Sequence, residues 1–212
     1  MRAVHHAGFA PLRRIRPAFM LAALLLLVSA CTKMRPTNMT PLDSAGMHSE
    51  TIEQLRKYKV TDDEVRQILI AGKAGMTEQG CTKLVGIARA RHRIFAEGDA
   101  VAELLGAGMK EDAVLQLVQL DQVTLFAGEA AAMRLAGLSD EVILDVARHR
   151  TKGQAVVAGA RLAELRDAGF SNTQLIAAVD RGITDKEAEE IVARHNYVVG
   201  GHSFVRQQGR RR

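Results

Sequence analysis

Between residues 49 and 196 the chain alternates short amphipathic stretches with a recurring three-residue phrase. Within the stretches, apolar residues fall three and four apart, the spacing that gathers them on one face of a helix. Cys81, Leu84, Val85 and Ala88 make one stripe, and Val142, Val146 and His149 another. Ala188, Ile191, Val192 and His195 make a third. The four prolines all precede residue 49, and Ala, Leu, Glu and Arg, which favour helix, dominate thereafter. The pattern predicts an all-α fold.

The phrase reads Lys59-Val60-Thr61, Gly75-Met76-Thr77, Gly108-Met109-Lys110, Gly137-Leu138-Ser139, Gly169-Phe170-Ser171 and Gly182-Ile183-Thr184. Glycine suits the left-handed residue that closes a helix, and Ser or Thr caps the next one. Acidic residues follow at once at Asp62, Glu78, Asp140 and Asp185, where the helix dipole favours them. Thr61 with Glu64, Ser171 with Gln174 and Thr184 with Glu187 have capping-box spacing. The apolar residue of each phrase is placed to staple onto one five positions later, as in Val60–Val65, Met76–Cys81 and Phe170–Leu175. Asn172, just past one cap, is expected to face solvent.

Each phrase therefore reads as a tight corner, with Lys59 and Lys110 as departures. About ten short helices follow, near 50–58, 62–73, 78–95, 100–107, 111–121, 125–136, 140–149, 155–168, 172–180 and 185–195. The corner apolar residues are 16, 33, 29, 32 and 13 apart, which implies a two-helix unit and a helical-repeat array. The spacing and residues differ from tetratricopeptide and ankyrin patterns. Leu165 to Ser171 is similar to the first helix and turn of ubiquitin-associated domains, but those seven residues are accounted for by corner physics alone.

The ends differ from this helical domain of residues 49–196. Residues 31–48, with Pro36 and Pro41, read as a flexible tether. In the tail, 197–212, two β-prone runs flank Gly200-Gly201, the pattern of a small hairpin.

Residues 1–30 are set apart by Arg13, Arg14 and Arg16, then Pro17, then thirteen residues from Ala18 to Ala30 with only Ser29 polar. A membrane-spanning helix needs about 20 apolar residues, so this run has the length of a signal peptide. It ends Val28-Ser29-Ala30-Cys31. The segment resembles the signal peptide and lipobox of bacterial lipoproteins, with Val28 where Leu is usual. The resemblance implies cleavage between Ala30 and Cys31 and a diacylglycerol with palmitate-type acyl chains on the Cys31 thiol. It also implies attachment to a cell membrane. Thr32 stands where an inner-membrane retention signal has Asp, so the outer membrane facing the periplasm is expected.

Removing residues 1–30, which hold four arginines and no acid, leaves 25 basic and 24 acidic residues. The net charge of +5 therefore gives no reason to expect a nucleic-acid partner. Arg210, Arg211 and Arg212 are a basic end that suits an anionic envelope surface, the third reading of the chain's function. The first is a non-catalytic scaffold for an envelope protein, with no cofactor and no catalytic residue. The second is a metal-binding or enzymatic role using His92, His149, His195 or Cys81. The histidines each follow Ala-Arg near a helix end. There, Arg and His are expected to meet the last carbonyls of their own helix. Residues at equivalent places in an array are spread out, so these three are not expected to share a metal. Cys81 fills a staple slot and is expected to be core.

Overall fold

Among the described residues ten with positive φ divide the chain: Gly46, Lys59, Gly75, His92, Gly108, Asp121, Gly137, Gly153, Gly169 and Gly182. The computed structural model describes residues 36–195, and all regular structure among them is helical. The helices are α1 (Thr40–Ser44), α2 (Ser49–Lys57), α3 (Asp62–Lys73), α4 (Glu78–Ala90), α5 (Gly98–Gly106) and α6 (Glu111–Gln119). They continue with α7 (Val123–Leu135), α8 (Asp140–Thr151), α9 (Gly159–Asp167), α10 (Asn172–Asp180) and α11 (185–195). The hairpin expected within 197–212 lies outside the described residues.

Every corner closes in the same way. The N–H two residues past the C-cap reaches five residues back: Met76 to the Ala71 carbonyl at 3.1 Å, Arg93 to Ala88 at 2.9 Å, Phe170 to Leu165 at 3.1 Å. This is the Schellman pattern, which occupies carbonyls that the helix itself leaves free. Its left-handed residue costs a side chain roughly 1–2 kcal/mol, which explains seven glycines among the ten. All three expected capping boxes form, around Thr61, Ser171 and Thr184. Thr77 and Ser139 cap α4 and α8 through their side chains.

Three expectations need correction. The helix expected over 78–95 stops at Ala90, because His92 takes φ 55° and turns the chain without a glycine. The helix expected from 155 starts at Gly159, since residues 154–158 run on without helical structure after Gly153. The tether expected over 31–48 meets the fold early: Pro41 opens α1, and Leu42 is wholly buried.

Packing follows a simple rule. Among α1–α10, each helix touches only the next helix or the next but one. Odd-numbered helices stack in one row and even-numbered helices in another. The core lies between the rows, where Leu55, Ile68, Leu84, Leu104, Leu117 and Ile143 are wholly buried. Full burial of such a side chain contributes about 1.5–3 kcal/mol. No described helix is long and apolar enough to cross a membrane.

Candidate functional site

Side chains at the helix ends join each row. Glu78, first residue of α4, accepts from the backbone N–H of His48, the cap residue of α2, at 3.1 Å. Glu111 of α6 accepts from Thr77 N–H of α4 at 2.8 Å, and Asp140 of α8 from Lys110 N–H of α6 at 3.1 Å. The odd row repeats the device, with Asp185 accepting from Ala158 N–H at 2.7 Å. An acid expected to serve its own helix dipole thus also caps the preceding helix of its row. Hydrogen bonds from Thr51 and His48 hold Glu78 below the usual carboxylate range, and Glu78 raises His48 in return.

The opposite edge of the even row carries the arginines. Arg89 donates to the Tyr58 carbonyl at 2.9 Å, and Arg91 donates to the carbonyls of Val118, at 3.0 Å, and Gln119. These carbonyls end α2 and α6, so the arginines of α4 close the helices on either side rather than their own.

The histidines do not converge. His92 is the left-handed corner after α4, while the His195 ring lies 5.8 Å from that of Phe170. His149 packs between α8 and α10. Cys81 is 1% exposed, and its thiol donates to the Ile68 carbonyl at 3.9 Å. Burial, then the charges of Glu111 and Glu78, push its thiol up to about 12, so it is held as a protonated core residue. Ala30, Cys31 and Arg210 to Arg212 lie outside the described residues.

Glu64 and Asp145 belong to wider clusters that were not distinguished in the sequence. Glu64 in α3 is wholly buried. It accepts two hydrogen bonds from Arg89 at 2.7 Å, one from Phe95 N–H at 2.8 Å and one from Thr61 N–H at 2.8 Å. Burial pushes its pKa up, but these donors together outweigh it and leave Glu64 below its ordinary value. Asp145 in α8 has a side chain only 15% exposed, and its buried Oδ2 takes no hydrogen bond. Burial, then the charge of Asp180, push its pKa up. His149 Nε2 sits 3.0 Å from Asp180 Oδ1 and 3.9 Å from Asp145 Oδ2.

The surface between α4 and α6 holds an open groove of about 570 Å³, lined by Lys83, Gly86, Ile87, Asp112, Leu115 and Gln116 among others. On α7, Leu125 is 87% exposed and Leu135 75%. Compared with protein-family models, curated proteins and solved structures, the chain gives no match.

Proposed function

We propose that the chain is a lipid-anchored cell-envelope protein whose helices form a repeat array and act as a non-catalytic scaffold for another envelope protein. The observation that carries the array is the packing rule, in which no helix among α1–α10 reaches beyond the next but one. The left-handed residues agree with it: they are 13 or 16–17 apart, so alternate corners recur every 29–33 residues. A stack of this kind lays side-by-side grooves along each row, and extended grooved surfaces are what helical-repeat proteins use for binding. The α4–α6 groove, with Ile87 and Leu115 flanked by Lys83 and Asp112, is the surface assigned to the partner. Cys81 and the histidines take structural places, which supports a binding role over a catalytic one.

The anchor rests on residues 13–31 and their lipobox resemblance. Palmitate labelling in cells should mark the protein, and Cys31→Ala should abolish the label; a labelled Cys31→Ala protein refutes the anchor. Fractionation should place the protein in the outer membrane, as the absence of Asp after Cys31 implies. A photo-crosslinker at Gln116 should capture an envelope protein in living cells. If Gln116 yields only adducts also formed from a position outside the groove, such as Asp63, the partner surface is misassigned.

A further inference from the structure

In the Asp145, His149 and Asp180 cluster, one proton is asked to serve two carboxylates. Asp145 and His149 lie four apart on α8 and so share a face. Asp180, the last residue of α10, is brought to them by the packing of the even row. The three ligand atoms lie within 4.8 Å of one another. A proton on His149 Nε2 can bridge to Asp180 at 3.0 Å, but Asp145 Oδ2, at 3.9 Å, is then left buried and unpartnered. Arg148 Nη1 is 3.9 Å from the other Asp145 oxygen, too far for a hydrogen bond. Asp180 also sits at a helix C-terminus, where the dipole disfavours a negative charge. The cluster lacks positive charge at one definable point.

We propose that Asp145, His149 and Asp180 bind a divalent transition-metal ion that clasps α8 to α10. Metal–ligand bonds of about 2.0–2.2 Å set ligand atoms roughly 3.3–3.5 Å apart around a tetrahedral ion. The 3.0 and 3.9 Å separations bracket that range. One ion in place of the shared proton gives every one of the three groups a partner, including the buried oxygen. One imidazole nitrogen with two carboxylate oxygens suits Zn²⁺ and its first-row neighbours better than Ca²⁺ or Mg²⁺, which favour oxygen alone. Asp180, 58% exposed, leaves an open side on which water completes the coordination.

The test is a Zn²⁺ titration of the purified full chain, stripped with chelator, against a chromophoric competitor. The expected result is one tight ion per chain. Asp145→Asn and His149→Gln should each weaken it about tenfold or more, while His92→Gln and His195→Gln leave it within about twofold. Zn²⁺ should raise the melting temperature of the parent and not of Asp145→Asn, because the ion binds the folded state. Asp180→Asn, at a half-exposed helix end, provides a variant whose folding is little at risk and should also lose the ion. Absence of a saturable site overturns the proposal. So does a site that survives both Asp145→Asn and Asp180→Asn in chains with native helical circular dichroism.

Discussion

Glu64 and Asp145 are both acids drawn away from water, one near the front of the helical unit and one near its back. Glu64 meets Arg89 and the backbone N–H groups of Phe95 and of its own cap residue Thr61, and its pKa is driven down. Asp145 keeps a buried oxygen with no donor, and its pKa is driven up. A buried charge is tolerated when it is paired and hydrogen-bonded, and is costly otherwise. Glu64 is thus fully explained by the fold, as the knot that ties α3, α4 and the 91–97 corner together. Asp145 is not, and a fold-destabilising feature with a histidine and a second acid beside it points to binding.

The largest way to break this contrast is Glu64→Ala. It takes the carboxylate partner from Arg89, leaves the Phe95 and Thr61 N–H groups without their acceptor, and should cost about 3 kcal/mol in urea unfolding of the full chain. A loss under about 1 kcal/mol would remove the knot from the account. Acid should act through the same residue. A lowered folded pKa contributes stability above the ordinary value of 4.5, and that stability is lost as the pH falls below it. The parent should therefore weaken more steeply than Glu64→Gln below that pH. Equal slopes would contradict the assignment.

Capping residues sharpen the comparison at a smaller scale. Thr61→Ala, whose box shares Glu64 with Arg89, should cost about 2 kcal/mol, whereas Ser171→Ala, whose box stands exposed, should cost about 0.5–1 kcal/mol. Equal melting shifts for the two would show that the buried network adds nothing to its cap. The smallest effect has the opposite sign. In chelator, Asp145→Asn should raise stability by about 1 kcal/mol or less near neutral pH, since it removes an unsatisfied charge. For the parent, the raised pKa means that this penalty is absent below 3.8, the ordinary value, and complete once the pH exceeds the folded one. Destabilisation by Asp145→Asn in chelator would show that the carboxylate has a partner in the metal-free protein.

What the sequence made legible was local. The boxes at Thr61, Ser171 and Thr184 follow from residues three apart, and they form. The corner at His92 was invisible because its left-handed residue carries a side chain, so the glycine signal was missing, whereas the break near Asp121 was read from the apolar pattern without it. Glu64 was readable as half of a capping box but not as the acceptor for Arg89, 25 residues on. Asn172, expected to face solvent, is half-buried and accepts from Arg166 at 3.0 Å. His149 showed its stripe, and Asp145 lay on the same face. Only the stacking of α10 on α8 brings Asp180 to them.

The row-end carboxylates have a consequence for how the chain is made. Glu78 reaches back 30 residues to His48, Glu111 reaches 34 to Thr77, and Asp140 reaches 30 to Lys110. In each case the cap arrives after the helix that needs it. At synthesis rates of about 5–20 residues per second, a finished even-row helix waits a few seconds for its missing acceptor. For these three carboxylates the dependence runs from later residues to earlier ones, so each newly emerged even-row helix secures its predecessor in the row and waits for its own partner. The growing end is always the least protected part of the nascent protein. A ribosome that stalls just before Asp140, the first residue of α8, would expose α6 at Lys110.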